Sequence, residues 1–416
     1  MKRHLIGIGG VGMSALATAL VRLGDEVTGA DRTLGTPNIK FLESLGVRVF
    51  PDDGSGIDAA TDEVIVSTAI EETNAGLIKA KALGIPVTHR AKALSRTLKD
   101  YKLVAVVGTC GKSTVTAMLG HVLAECGLDP MCVNGANVPG WEGAVRFGKG
   151  QYAVAEVDES DKSLVAFKPY AAIVTNASAD HYSKEEMDEV FDSFIKDCQG
   201  PVVDGRGHLE SLASLETLEV PVPGAHNRQN AEMAVRMAVA LGVPTDRAIA
   251  AMKTFRGVER RLQLISQSHP SSLIPHPFVY DDYAHNPEKL KAMWTTLAEK
   301  HPEGICVIWR PHGYAPLRKM MDALAVMFVE TVRPQDKLLL LPVYDAGGTT
   351  DRSISSSDLL EKVKVRGEGE QRWVLVSDLD AAYAWCAAHK GDYAAFATCG
   401  ARDPGLPVLA RRLSEM

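Results

Sequence analysis

The chain has no C-x-x-C pair among its seven cysteines, and their number is odd. That pattern argues for reduced thiols in a cytoplasmic protein rather than a disulfide framework. Positive charge is in deficit: 45 Lys and Arg face 52 Asp and Glu, a net charge of −7. Such a balance argues against a general nucleic-acid binder. No apolar run approaches the ~20 residues needed to span a bilayer. No apolar segment with a cleavage site opens the chain, which goes straight into His4-Leu5-Ile6-Gly7-Ile8, a strand pattern. Low-complexity sequence is scarce. What is present is globular: 46% apolar and 23% charged residues over 416 positions, too many for one ordinary core. Two or three domains are expected, in a monomer or weak dimer acting on small molecules, with no nucleic-acid partner and no membrane insertion.

Two glycine-rich loops stand about a hundred residues apart. The second reads Gly108-Thr109-Cys110-Gly111-Lys112-Ser113-Thr114. It follows the β-branched run 103–107 and precedes a stretch with helical periodicity. A strand, a tight turn and a helix start make an anion cradle, because free backbone N–H groups and the helix dipole both favour negative charge. Lys112 adds a mobile cation for phosphates, and Ser113 adds a hydroxyl for Mg²⁺. The spacing departs from the common P-loop: two residues, not four, separate the glycines, and Val106 falls where the first glycine would be. The context of strand and helix supports nucleoside triphosphate binding. Cys110 reads as a spectator, although an N–H-rich loop beside Lys112 could lower a thiol's pKa.

The first loop, Gly7-Ile8-Gly9-Gly10-Val11-Gly12, fits G-x-G-x-x-G after a strand. A helix follows through Met13-Ser14, and a second strand ends at Asp31, where a ribose-binding acid is expected. Alone, this would indicate a nicotinamide dehydrogenase. The second phosphate loop weighs against that, since the same βαβ unit can hold the pyrophosphate of a UDP-sugar. Strands at 64–67 and 85–88 alternate with helical stretches, which predicts a parallel sheet with its ligand off the carboxyl ends. Ser67, Thr68 and His89 fall there. The bland alternative is that Ser67 and Thr68 cap the following turn and His89 is a surface residue.

Downstream, an apolar strand runs into Glu156-Val157-Asp158-Glu159-Ser160-Asp161, and another ends at Thr175-Asn176 ahead of Asp180-His181. Mg²⁺ takes oxygen ligands, usually one or two carboxylates plus phosphates and water. Glu156, the first acid after its strand, is the leading candidate; a solvated acidic loop is the alternative. Runs at 304–309, 336–341 and 392–397 read as buried strands, with helices at 288–300 and 317–331, a further doubly wound α/β pattern.

The ordered set of motifs resembles the Mur ligases, ATP-dependent amide ligases of peptidoglycan synthesis. It comprises the first loop through Ser14, Thr68-Ala69-Ile70, the P-loop, 156–161, Thr175-Asn176 with Asp180-His181, and 223–230. Arg260-Arg261, 281–287 and Pro311-His312 complete it. The resemblance spans essentially the whole chain. It implies three α/β domains: a Rossmann-like UDP-sugar domain over 1–99 and a central P-loop ATPase domain with a parallel sheet over 100–262. A C-terminal Rossmann-like domain follows over 263–416. It also implies that ATP phosphorylates the carboxylate of UDP-N-acetylmuramate, and that an amine, alanine first among candidates, attacks the acyl phosphate. Gly9, Gly10, Val11, Gly12, Met13, Ser14, Asp31, Ser67, Thr68, Ala69 and His89 would serve the UDP-sugar. By resemblance, Ser113, Glu156 and His181 would hold Mg²⁺ or Mn²⁺. Asn227, Asn230, Arg261 and Asp281 or Asp282 would reach the nucleotide across a domain seam that closes on substrate. His285 and His312 would line the acceptor side, where a histidine orients the amine or takes its proton; a plain turn residue is the alternative for His312.

Three departures concern the periphery and the acceptor. The stretch from His181 to Pro223 is short. Gly313 and Pro316 stand where alanine-adding members usually carry two arginines that grip the amino-acid carboxylate; Arg310 or Arg318 is a shifted substitute. The usual His-His-Pro is His285-Asn286-Pro287, and the last glycine loop reads Cys399-Gly400-Ala401-Arg402-Asp403-Pro404. An acceptor that is a preformed peptide, as in murein recycling, or another amine therefore stays open, as does a non-catalytic nucleotide-binding regulator.

Overall fold

The computed structural model describes residues 1–158, 163–177, 184–207, 215–266, 277–345, 347, 350–366 and 372–416. The chain divides into two compact units, 1–222 with 226–258, and 223–225 with 259–416. The first unit holds two sheets and the second holds one.

The first sheet comes from β1 (Lys2–Ile6), α1 (Val11–Arg22), β2 (Glu26–Asp31), α2 (Pro37–Ser44), β3 (Arg48–Pro51), β4 (Glu63–Val66), α3 (Ala75–Ala82), β5 (Val87–His89) and α4 (Arg90–Thr97). Its order is β3-β2-β1-β4-β5, and every pairing is parallel. The chain reverses direction of travel beside β1, so the loop after β1 opens into the crevice where such sheets bind ligands. Ala15, Ala17 and Ala19 are fully or almost fully buried, and these small residues let α1 lie close to its neighbours.

The second sheet uses β6 (Lys102–Val107), α5 (Lys112–Glu125), β7 (Met131–Val133), β8 (Val145–Arg146), β9 (Tyr152–Glu156), β10 (Ala171–Val174), α6 (Lys184–Lys196) and β11 (Val202–Asp204). Helices α7 (Ala225–Ala240) and α8 (Thr245–Met252) follow. The order is β11-β10-β6-β9-β7-β8, parallel except for the edge pair β7–β8. The run Leu103–Val107 is buried throughout, as a central strand covered on both faces requires.

The third sheet uses β12 (Gln263–Ser266), β13 (Phe278–Asp282), α9 (Pro287–Lys300), β14 (Ile305–Trp309), α10 (Tyr314–Thr331) and β15 (Lys337–Leu340). It is completed by α11 (Ser356–Arg366), β16 (Trp373–Leu375), α12 (Leu379–Ala388), β17 (Ala395–Cys399) and α13 (Gly405–Ser414). The order is β12-β13-β17-β14-β15-β16, parallel except for β12–β13. A polar anchor fixes its lower edge. The buried Asp336 carboxylate accepts from Trp294 Nε1 at 2.9 Å and from the Ile305 amide at 3.1 Å, and Arg333 forks onto it. Strand β17, last in the chain, lies between β13 and β14. Asp282 and Trp309 both stand level with Cys399. The loops leaving these three strands therefore emerge side by side.

Candidate active site

In the first loop the Gly9 amide donates to Asp31 Oδ2 at 2.8 Å, and Asn38 Nδ2 donates to the Gly9 carbonyl at 2.9 Å. Asp31 also accepts from the Thr33 amide at 3.0 Å. The acid expected to meet a ribose thus also braces the loop. Gly10 is the N-cap of α1, and Val11 and Gly12 begin the helix. Met13 and Ser14 turn inward: both are buried, and Ser14 Oγ donates to the Val11 carbonyl at 3.0 Å. Ser67 accepts from the Ile70 amide at 3.1 Å, which leaves Thr68 and Ala69 exposed in the turn. His89 caps α4, its Nδ1 accepting from the Ala91 amide at 3.3 Å. Next to it, Arg90 Nη1 lies 3.0 Å from where a Cβ on Gly12 would stand. This cation at a glycine loop was absent from the sequence-derived set. Its signal was its position directly after a strand end.

The P-loop is built on β6 and its two neighbours. Gly111 is the N-cap of α5 at φ +84°, a left-handed conformation that favours glycine. Lys112 opens the helix and donates from Nζ to the Gly108 carbonyl at 2.7 Å. Asn176, from the end of β10, organises the loop. Its Oδ1 accepts from Thr109 Oγ1 at 2.6 Å and from the Cys110 amide at 2.9 Å, and its Nδ2 donates to the Cys110 carbonyl at 3.0 Å. Thr175 Oγ1 donates to the same carbonyl at 2.6 Å. Thr114 is buried in the first turn. The register Val106↔Glu156 sets Glu156 beside the loop's root. Its Oε2 accepts from Ser113 Oγ at 2.7 Å and from the Gly135 amide at 2.8 Å. Ser113 and Glu156 are hard oxygen donors in contact, the chemistry that Mg²⁺ selects. Asn227 and Asn230 are buried near the start of α7, and Asn230 Oδ1 stands 2.6 Å from the place a Cβ on Gly111 would take. The structure therefore brings Gly108 to Thr114, Glu156 and Asn230 together. His181, with Glu159, Ser160, Asp161 and Asp180, lies outside the described residues.

In the second unit, Asp281 and Asp282 are buried at the end of β13. Burial pushes the Asp281 carboxyl up to about 6, against the charge of Arg260 and a hydrogen bond from Thr398. Asp282 accepts from the Leu262 amide at 2.6 Å and the Ala284 amide at 2.7 Å. Both acids are thus engaged by protein donors, a use the motif reading did not foresee. Arg261 sits over the Tyr283 ring, 4.7 Å from its centroid. His285 and His312 come together edge to face, with ring centroids 4.8 Å apart. His285 Nδ1 bonds the Tyr283 carbonyl at 2.9 Å. Asn286 caps α9, accepting from the Lys289 amide at 2.9 Å, which gives this departure a structural job. Of the shifted arginines, Arg310 pairs with Asp403 at 2.7 Å and Arg318 pairs with Asp351 at 2.8 Å.

Comparison with known proteins places this geometry in a family. Residues 2–102 match the model described as Mur ligase family, catalytic domain, and residues 260–402 match Mur ligase, glutamate ligase domain. The UDP-N-acetylmuramate–L-alanine ligase of Geobacter sp. (strain M21) is 30% identical, over 91% of this chain and 89% of that protein. The ligase of the same name from Rhizobium etli is 27% identical, over 99% and 97%. The crystal structure of UDP-N-acetylmuramate-alanine ligase from Thermotoga maritima superposes with a TM-score of 0.81 at 25% identity, covering 100% of this chain and 98% of that one. A murein peptide ligase from Psychrobacter arcticus shares the fold at 20% identity, with a TM-score of 0.66 and coverage of 100% and 99%. With two family models matched along its length and a relative at 30% identity over 91% of it, this chain belongs to the Mur ligase family.

Proposed function

We propose that the chain joins the carboxylate of UDP-N-acetylmuramate to the amine of L-alanine, converting ATP to ADP and phosphate, as its full-length relatives are named for doing. The observation that carries the reading is the P-loop whose Ser113 touches Glu156, in a chain that covers 97% and 89% of these relatives' length. The N–H groups at the head of α5 bind and orient the triphosphate, and Lys112 supplies charge to its β and γ phosphates. Ser113 and Glu156 would hold Mg²⁺, with His181 as the further ligand that the resemblance implies. Bound there, the ion neutralises phosphate charge. The muramoyl carboxylate oxygen attacks the γ-phosphorus, the bond to ADP breaks, and an acyl phosphate forms. The amine then attacks the acyl carbon and phosphate leaves. His285 or His312 takes the proton that the amine loses. Gly9 to Gly12, with Asp31 and the loop at Ser67 to Ala69, form the UDP-sugar side, and Arg90 adds a cation to it. The domain divisions near 100 and 262 follow the three sheets. Among the described residues no helix is long and apolar enough to cross a membrane; a cytoplasmic monomer or weak dimer remains our reading.

The test is phosphate release from Mg-ATP and UDP-N-acetylmuramate with a panel of L-amino acids and one muramyl tripeptide, products being read by mass. A gain of alanine minus water supports the reading. A gain with tripeptide alone moves the chain to the recycling type. No release with any acceptor sinks the ligase reading.

A further inference from the structure

Arg260, Arg261, Arg310, Arg318 and Arg402 flank the loops that follow β13, β14 and β17; Arg261 lies over Tyr283 and donates to the Arg260 carbonyl, and three others are committed to carboxylates. Arg260 donates to Asp281 at 3.1 Å, Arg310 pairs with Asp403 at 2.7 Å, and Arg318 pairs with Asp351 at 2.8 Å. Asp403 is further occupied by the Gly405 amide at 2.8 Å. The remaining one is Arg402. It is exposed, and among the described residues it has no hydrogen bond or ion pair. Its Nη1 lies 4.0 Å from where a Cβ on Gly313 would stand. Gly313 directly follows His312, whose ring meets His285. The placement follows from the sheet: β17 runs between β13 and β14, so Arg402 leaves the middle strand while His285 and His312 leave its neighbours.

Gly313 keeps this arrangement open. Its φ of +153° lies in the region that disfavours side chains, and a side chain there would point toward the Arg402 guanidinium. Pro316 at 3.5 Å and Arg402, three residues past the end of β17, at 4.0 Å are the side chains that border this position. A guanidinium without a partner among the described residues, leaving the strand between the two whose loops carry the imidazoles, is a receptor for a planar anion: it offers parallel donors that match a carboxylate.

We infer that Arg402 grips the acceptor's carboxylate and so selects a free α-amino acid. The inference rests on the ligase reading above and names its acceptor class. In a free α-amino acid the carboxylate sits one carbon from the attacking amine, so a cation beside the imidazole pair can hold it while the amine reacts. In a peptide that position is a neutral amide, which cannot accept a charge-assisted pair of bonds.

The experiment measures ADP formation with UDP-N-acetylmuramate and L-alanine, L-alaninamide or L-alanylglycine, for wild type, Arg402→Ala and Arg402→Lys. Wild type is expected to favour L-alanine at least ~10-fold in kcat/KM over both analogues, which carry an amide in place of the α-carboxylate. Arg402→Ala raises KM for L-alanine ~10- to 100-fold, removes that preference and leaves KM for ATP unchanged. Arg402→Lys falls between, since it keeps the charge and loses the fork. An unchanged KM for L-alanine in Arg402→Ala overturns the inference, and so does an equal loss with L-alaninamide. Wild-type use of the dipeptide alone overturns it while leaving the ligase intact. Absence of ADP formation with every acceptor defeats the ligase reading itself, and this inference with it.

Discussion

The two glycine loops of the first unit occupy equivalent places, each between the central strand of a parallel sheet and the helix it feeds, yet they are braced differently. The first is held by side chains from its own βαβ neighbourhood, Asp31 and Asn38, and its N-cap Gly10 has an ordinary φ of −65°. The second is held from β10 through Thr175 and Asn176, and its N-cap Gly111 is left-handed at +84°. Both loops contain a left-handed glycine, Gly7 at +74° in the first and Gly111 at +84° in the second, but the first has it at the start of the turn with local support, whereas the second has it at the helix N-cap and is held by residues more than 60 positions away. A loop built the second way keeps its shape only with its neighbours intact, which suits a site that must present its amides identically at every turnover.

The contrast can be broken at its functional end first. Lys112→Ala should cut ATP turnover about 100-fold or more while costing no more than about 1 kcal/mol of stability, because the half-buried lysine gives up its hydrogen bond to the Gly108 carbonyl. Retained turnover would move the nucleotide site elsewhere. Next comes the backbone difference itself. Gly111→Ala forces a positive φ and meets Asn230 Oδ1 at 2.6 Å, so it should cost about 2–3 kcal/mol. Gly10→Ala has φ −65° and a nearest neighbour at 3.5 Å, so its cost should stay within about 0.5 kcal/mol. Paired denaturant melts would show equal losses if the loops were alike. Smaller again is Asn176→Ala, which removes three hydrogen bonds to the P-loop. It should raise KM for ATP about 10-fold with a stability loss of about 2 kcal/mol. An unaltered KM would mean the loop holds itself.

The smallest effect compares two buried carboxylates of opposite sign. Burial opposes the charge on Glu63, but Arg96, Thr88 and Arg3 outweigh it and hold the carboxyl below its usual range. Its contribution is present above the unfolded pKa of about 4.3 and fades as pH falls through the lower folded value. Asp281 behaves inversely. With a folded pKa of about 6 and an unfolded one of about 3.9, the folded chain holds the extra proton between them. Stability therefore declines as pH rises across that window, then levels off. Asp281→Asn should flatten this slope in melts taken from pH 4 to 6.5, a change of a few degrees at most. A slope that survives the substitution would assign it to another group.

Much of the architecture was legible because buried parallel strands read as continuous apolar runs. The runs at 103–107, 64–67 and 304–309 lie in β6, β4 and β14 with ends shifted by one residue or so. The helix expected over 317–331 begins instead at Tyr314. Pro316 hid its first turn, although a proline is tolerated there because the first N–H groups of a helix lack partners anyway. The edge strands β8 and β12 escaped notice, being short and antiparallel. Within the site, the residues of the P-loop were readable because their chemistry is local in sequence. Asn176 was visible as a motif letter but not as the loop's organiser. Arg90 and Arg402 were harder, since their meaning depends on which strand ends the sheet places next to Gly12 and Gly313. Sequence spacing carries no record of that adjacency. The same holds for Asp282, whose distant donor, the Leu262 amide, becomes apparent only when β12 turns beside β13.

The position of β17 has a consequence for how the chain is made. Strands β13 and β14 bond to β17 and not to each other, so both wait with open edges until residue 399 has left the ribosome. About 90 residues separate β14 from β17, which at a synthesis rate of about 5–20 residues per second amounts to roughly 5–20 s. During that interval the apolar strand Ile305–Trp309 has no partner on its β17 side. The second unit is therefore where nascent chains of this protein should engage chaperones, and where a truncation before Ala395 should aggregate while the first unit folds.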